Sequence, residues 1–200
     1  MKDIERALRA PEGHTERAAE AAQALLARAD RDGLVDVAYG TVDSPLGPIL
    51  AAVTPRGLVR VSYQDEVHVL EELSEAVSPR VLASPRGTEQ VRRELEEYFA
   101  GRRHRFEVAI DWTLTSEGFF RRVLRATARV PYGSVTAYRD VAARAGSPRA
   151  YRAAGNALGS NPIPIVVPCH RVVHSGGGLG GYTGGLERKK FLLGLEGALA

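Results

Sequence analysis

Cysteine is nearly absent: Cys169 is the only one in 200 residues. An internal disulfide is therefore excluded, and so is the paired-cysteine spacing of structural zinc sites. His14, His68 and His104 also lack ligand spacing, so no metal and no other cofactor is expected. A chain this poor in thiols suits a reducing, intracellular setting. Long apolar runs are absent as well. The first residues, MKDIERALRAPEGHTERAAEAAQ, carry a charge every few positions, which excludes a signal peptide or membrane span there and points to the cytoplasm, with no membrane partner. Neither an internal repeat nor a low-complexity tract is present. Lysine is scarce too. The 24 arginines against 3 lysines suit phosphate and base contacts, and suit a particular genomic base composition equally well.

What is present begins with 44% hydrophobic residues, enough to bury a real core at this length. The modest net charge of +3 hides an asymmetry: residues 1–100 hold 12 basic and 18 acidic groups, net −6, and residues 101–200 hold 15 basic and 6 acidic, net +9. A basic half joined to an acidic half suggests one face for a polyanion, nucleic acid being the common case. A merely solvated charged surface gives the same count.

Residues 2–31 are rich in Ala, Arg and Glu, with Ile4, Leu8, Ala18, Ala22, Leu25 and Leu26 near helical spacing, and Pro11 and Gly13 split them into two short helices. Residues 1–34 thus read as a helical extension. From Asp36 the period changes: Val37–Val42, Ile49–Val53 and Leu58–Tyr63, separated by Pro/Gly turns, predict a small antiparallel meander. Helices follow over 66–77 and 88–100, and Phe106–Ile110 reads as a further strand. These elements make a first domain over 35–111. A second, over 115–200, opens with a helix capped by Ser116 and running to Val130, with Phe119, Phe120, Val123, Leu124 and Ala128 on its apolar face. Helices over 136–144 and 149–158, joined by Ala145-Gly146-Ser147-Pro148, outline a helix-turn-helix. The fold class is α+β: a small antiparallel sheet domain with helices, then a mainly helical, winged-helix-like domain. The second helix of the pair is unusual for a major-groove reader. Ala150, Ala153, Ala154, Gly155, Ala157 and Gly159 make it small-faced, and Tyr151 and Arg152 are its only large groups.

Residues 161–172 read Asn-Pro-Ile-Pro-Ile-Val-Val-Pro-Cys-His-Arg-Val. Three prolines hold this run extended and exclude helix, so Cys169 is presented on a stiff segment. A lone cysteine beside Val and Pro is ordinarily an inert buried hydrophobe. Its neighbour here is His170, and an imidazole is a usual means of generating a thiolate at neutral pH. Adjacent residues on an extended chain point to opposite sides, so cooperation between the two needs a bend or an intervening water.

Pro168-Cys169-His170-Arg171-Val172 resembles the signature of the O6-alkylguanine-DNA alkyltransferases, also called methylated-DNA-protein-cysteine methyltransferases. The resemblance runs from about Phe119 to Gly197, with Pro131-Tyr132-Gly133, Arg152-Ala153-Ala154-Gly155, Asn161-Pro162 and Tyr182-Thr183-Gly184-Gly185-Leu186 in the family's order. The first domain resembles the family's only loosely, and residues 1–34 lie outside the pattern. The resemblance implies direct reversal of DNA damage: Cys169 takes the alkyl group from O6-alkylguanine, and possible activity on O4-alkylthymine is included, in a single turnover that consumes the protein. His170 takes the thiol proton through a water, Glu196 orients and charge-stabilises the imidazole, and Asn161 ties the turns together. Tyr138 donates toward guanine N3. Thr183 offers its backbone N–H near O6, the carbonyls of Cys169 and Val172 read the exocyclic amine, and Pro164, Gly180 and Tyr182 line the pocket. The target base must leave the stack. Arg152 fills its place, while Tyr151, Ala153, Ala154 and Gly155 lie with it in the minor groove of double-stranded DNA. A monomer associated with the nucleoid is expected.

Taken singly, Glu196 reads as a surface carboxylate, Asn161 as a turn residue, and Tyr138 and Tyr182 as half-buried aromatics. Three rivals compete. A thiol hydrolase keeps nucleophile and base apart in sequence and needs an oxyanion hole that nothing here signals. A transcriptional helix-turn-helix wants polar groups on its second helix. A non-enzymatic alkyl-damage recognition protein fits better, but such relatives lack the acceptor cysteine that stands here at position 169.

Overall fold

A computed structural model describes residues 32–198 continuously, together with residues 21, 24, 28 and 29, which are helical. The two helices expected over 2–31 otherwise lie outside the described residues. Strands β1 (Val37–Val42), β2 (Ile49–Thr54) and β3 (Gly57–Ser62) form the expected antiparallel meander. Helix α1 (Glu66–Ala76) follows, its first turn capped by the Asp65 carboxylate, which accepts from the backbone of Val67 and His68. A fourth strand that the sequence did not announce, β4 (Val81–Ala83), then joins β1 in parallel and completes a sheet of order β3-β2-β1-β4. Helix α2 (Glu89–Phe99) closes this half.

Both faces of the sheet are covered. Alternating side chains send Val37, Leu50, Ala52 and Val59 to one face, against Val69 and Leu73 of α1. Val42, Ile49, Ala51, Leu58 and Val61 face the other way, with Val91, Leu95 and Tyr98 of α2. That second cluster does not stop at the sheet half. It continues into Val123, Leu124, Val141, Ala154, Ile163, Ile165, Val167, Cys169 and Leu192, so the two halves of the chain share one core and the cysteine lies in it.

Phe106–Ile110 is not a strand; only a single bridge joins Ile110 to Leu58. The reason is a side chain. Glu94, fully buried on α2, accepts from the backbone N–H groups of Glu107 and Val108 at 2.8 and 3.3 Å, taking donors that a partner strand would have used.

The helical half contains α3 (Phe119–Thr127), β5 (Thr136–Ala137), α4 (Tyr138–Arg144), α5 (Tyr151–Gly159), a 3-10 turn at Cys169–Arg171, β6 (Val172–Val173) and α6 (Leu186–Leu195). Ser116 does not cap α3. The helix begins after Gly118, whose φ of 80° breaks the helical path from Ser116 onward, and it ends at Thr127, short of Val130. The helix-turn-helix is α4 and α5. Its first helix ends in a Schellman turn, Ser147 N–H bonding Ala142 and Gly146 N–H bonding Ala143, with Gly146 at φ 82° where a side chain would strain. Thr136 and Ala137, expected as the first turn of α4, pair instead in parallel with Val172 and Val173. This short ladder fixes the start of α4 beside the Cys169 segment.

Candidate active site

Cys169 opens the 3-10 turn, so the segment predicted to be extended bends at this cysteine. Pro168 turns the chain with ψ 65°, Cys169 N–H bonds the Val167 carbonyl at 2.8 Å, and Arg171 N–H bonds that of Pro168 at 2.9 Å. Just upstream, Ile165 has φ 73°, the only non-glycine residue with positive φ among those described, in a γ-turn closed by Val166 N–H on Pro164 at 2.9 Å. Such a conformation costs roughly 1–3 kcal/mol and persists only where surroundings dictate it. Here they do: residues 161–172 are all buried. The Asn161 amide N–H groups donate to Val167 O at 2.8 Å and to Cys169 Sγ at 3.2 Å, its carbonyl accepts from Ile163 N–H, and β3 grips the loop through Val61 N–H on Pro162 O.

Behind the thiol lies a buried ionic cluster built around one carboxylate. Glu196, directly after α6, is buried and not a surface carboxylate. Its Oε1 meets His170 Nε2 at 2.8 Å, the Tyr98 hydroxyl at 2.6 Å and Arg171 Nη2 at 2.9 Å; its Oε2 accepts from Arg171 Nε at 2.8 Å and Gly133 N–H at 3.4 Å. Burial alone would raise its pKa, but the hydrogen bonds from His170 and Arg171 outweigh it and hold the carboxyl at about 2. An ionised carboxylate only accepts, so His170 carries its proton on Nε2 and leaves Nδ1 as the basic nitrogen. That Nδ1 is buried and has no protein partner. Burial lowers the His170 pKa against the pull of Glu196, which keeps the ring neutral and able to take a proton. The motif Pro131-Tyr132-Gly133 has a matching explanation. Tyr132 donates to the Leu195 carbonyl at 3.0 Å and lies under the Arg171 guanidinium, so this turn grips the end of α6 that presents Glu196.

Several members of the site were not among the residues expected from sequence, Tyr98 and Lys189 foremost. Tyr98 belongs to the sheet half and donates into the cluster from α2. Lys189 is fully buried, and its ammonium donates to the carbonyls of Val172, Leu179 and Gly181. Burial pushes its pKa down to about 8, with the Cys169 charge opposing. The thiol itself is pushed up to about 11 by burial, against the Asn161 amide and the Lys189 charge. At neutral pH Cys169 is therefore a thiol. The buried Lys189 ammonium and the Asn161 amide favour negative charge on sulfur once a base removes the proton.

In front of the thiol is a cavity of about 640 Å³ lined by Tyr138, Tyr151, Arg152, Gly155, Leu158, Gly159, Cys169, His174, Gly181, Tyr182 and Thr183. The expected pocket residues Tyr138, Tyr182 and Thr183 are in its wall. Pro164, Val172 and Gly180 are not. Pro164 is buried as the first residue of the γ-turn, the Val172 carbonyl is engaged by Lys189, and Gly180 packs on the Tyr138 phenol, whose oxygen is 2.6 Å from where a Cβ at 180 would stand. Gly180 has φ 70°, so both sterics and backbone require glycine there. The Thr183 hydroxyl donates to Gly159 O at 2.8 Å, tying the pocket loop to the end of α5. Tyr151 and Arg152 are exposed at the cavity mouth, with the guanidinium 5.8 Å from the Tyr151 ring. Ala153 and Gly155 are half-exposed. Ala154 points into the core and is fully buried, so its side chain is not available to DNA.

Two family models match the chain. One described as the DNA binding domain of 6-O-methylguanine DNA methyltransferase matches residues 118–198, and one described as the ribonuclease-like domain of the same protein matches 37–112. The chain belongs to this family. A Mycolicibacterium paratuberculosis protein named methylated-DNA-protein-cysteine methyltransferase is 41% identical over 160 residues, covering 80% of this chain and 92% of that one. A Methanosarcina barkeri protein of the same name is 38% identical over 160 residues, covering 79% and 96%. Among solved structures, that of Mycobacterium tuberculosis OGT in complex with DNA aligns at a TM-score of 0.69 and 37% identity, over 80% of this chain and 93% of that one. No helix among the described residues is long and apolar enough to cross a membrane, and no group of three or more His, Cys, Asp or Glu among them is placed to hold a metal.

Proposed function

We propose that this protein repairs DNA by moving the alkyl group of O6-alkylguanine irreversibly onto Cys169. Family membership supplies the activity and the DNA substrate. The observation that carries the assignment to this residue is the position of the only cysteine, at the cavity floor, with a neutral imidazole and an ionised carboxylate behind it. In the reaction His170 Nδ1 takes the thiol proton through a water, sulfur attacks the alkyl carbon, and the carbon–oxygen bond breaks with its electron pair leaving on guanine. Glu196 stabilises the imidazolium that forms. Tyr138, whose burial raises its pKa and keeps it a donor, hydrogen-bonds guanine N3 and offsets the charge on the departing base. The Thr183 N–H faces O6. The Cys169 carbonyl reads the exocyclic amine with its second lone pair, since Val172 N–H already occupies the first, whereas the Val172 carbonyl is spent on Lys189 outside the cavity wall.

The thioether product has no hydrolytic route in this site, which makes the protein a single-turnover reagent. We place α5 in the minor groove, where Ala153 and Gly155 permit close approach and Arg152 enters the stack vacated by the extruded base. The protein acts as a monomer in the cytoplasm at the nucleoid, with residues 35–111 and 115–200 as two domains.

The test is intact-mass spectrometry after mixing with a duplex containing O6-methylguanine. One methyl group per protein molecule, mapped to the Cys169 peptide and absent in Cys169→Ala, is the expected result. Catalytic turnover beyond one equivalent, or binding without mass gain, refutes the reading; the second outcome would make the protein a non-enzymatic damage binder.

A further inference from the structure

The wall of the cavity opposite α5 is Tyr182, and what holds Tyr182 comes from the other half of the chain. Tyr63 follows directly on β3, and its hydroxyl lies 3.1 Å from that of Tyr182. The Tyr63 ring is itself fixed from the far side by Arg188 of α6, whose guanidinium stands 4.7 Å above it and also donates to the Gly184 carbonyl at 2.8 Å. Gly184 is pinched between the two tyrosines: a Cβ there would come within 2.7 Å of the Tyr182 ring and 2.9 Å of the Tyr63 ring. Tyr182 in turn meets the His170 ring edge-on, at 6.3 Å and 89°. The chain of contacts runs Arg188, Tyr63, Tyr182, His170, and it leaves Tyr182 little freedom to swing away from Cys169.

We propose that Tyr63 is a specificity-determining positioning residue: by bracing Tyr182 it fixes the width of the cavity over Cys169 and so selects for small alkyl groups against bulky ones. Tyr63 does not line the cavity, and it acts only through Tyr182. A wall held by one hydroxyl pair and a stacked guanidinium tolerates a methyl group without movement. A bulkier benzyl group presses harder on the Tyr182 wall, and the brace sets the cost of moving it. A net side-chain hydrogen bond is worth about a factor of five in such a balance. The inference rests on the alkyl-transfer reading.

Single-turnover transfer is measured with O6-methylguanine and O6-benzylguanine as free bases, for the wild-type protein, Tyr63→Phe, Tyr182→Phe and the double variant, with a thermal melt of each. Tyr63→Phe keeps the ring and its contact with Arg188 and removes only the hydroxyl. The benzyl-to-methyl rate ratio is expected to rise about fivefold in Tyr63→Phe, by a similar factor in Tyr182→Phe, and by no more in the double variant, because both singles break the same bond. A general loss of stability would lower both rates together and leave the ratio flat. An unchanged ratio in Tyr63→Phe, or effects that multiply in the double variant, overturns the brace. Absence of methyl transfer in the wild type would instead overturn the alkyl-transfer reading.

Discussion

Behind Cys169 and in front of it the molecule is built in opposite ways. Behind, His170, Glu196, Arg171, Tyr98 and Lys189 are all buried, and the Glu196 carboxylate alone receives five donors, one of them from the other half of the chain. In front, Tyr151, Arg152, His174 and Thr183 are exposed, and Arg152 has no ion-pair partner among the described residues. A network of buried charges is stable only when complete, and a complete one fixes the geometry of its members. An exposed arginine keeps its freedom until a ligand orders it. On the proposed function, the buried side governs the rate at which sulfur reacts with any substrate. On the same proposal, the exposed side governs whether a duplex can deliver its base.

The largest effect expected is from Glu196→Gln. It removes the charge that stabilises the imidazolium, so transfer should slow by roughly 10²–10⁴-fold. It also leaves the buried Arg171 without its counter-charge, at roughly 3–5 kcal/mol of stability; transfer is therefore timed under conditions where melting curves show the variant folded, and DNA binding should be retained. An unchanged rate would remove Glu196 from the mechanism. The same residue gives a pH signature. Its carboxyl is held at about 2, below the ordinary 4.5, so its contribution to stability is complete above pH 4.5 and is lost as pH falls toward 2. Urea titrations across that window should show a steep decline in the wild type and a shallower one in Glu196→Gln.

Next is Arg152→Ala. If the guanidinium occupies the vacated place in the stack, repair of duplex DNA should fall by roughly one to three decades, since unstacking costs a few kcal/mol that nothing then offsets. Repair at the wild-type rate would exclude Arg152 as the inserted group. The smallest effect belongs to Tyr98→Phe, which removes one donor from Glu196 while His170 and Arg171 still hold it. Stability should drop by about 1.5–3 kcal/mol, the weight of a hydrogen bond to a charged group, with transfer less than about tenfold slower. A carboxylate with one donor fewer is more basic and raises the His170 pKa, so the acid limb of the pH–rate profile should move to higher pH. A variant that loses stability with its acid limb unmoved would make Tyr98 a packing residue alone.

The legible part of the site was the part written in contiguous residues. Pro168–Val172, Asn161-Pro162 and the spacing to Glu196 point to the residues that the structure brings together around Cys169, and the period change at Asp36 and the helix expected after Thr115 mark the sheet and helical halves. Contacts between distant segments were not legible. Tyr98 looks like any core tyrosine on α2, and no local feature says that its hydroxyl meets a carboxylate 98 positions away. Lys189 left one signal that was passed over: it precedes the buried Leu192 and Leu193 by three and four positions, on the inward face of α6. The turn at Cys169 and the γ-turn at Ile165 were unreadable because prolines suggest extension, and only the surrounding core forces the bend. Phe106–Ile110 had the composition of a strand, but Glu94 took its donors.

The division between a reacting side and a delivering side is tested most directly by timing two substrates on two variants: a duplex carrying O6-methylguanine and the free O6-methylguanine base, each with Glu196→Gln and with Arg152→Ala. The free base needs no extrusion. The account predicts that Glu196→Gln slows both substrates by the same factor, whereas Arg152→Ala slows the duplex and leaves the free base near the wild-type rate. Equal losses on duplex and free base in Arg152→Ala would contradict it, because Arg152 would then support the structure of the site and not the delivery of the base.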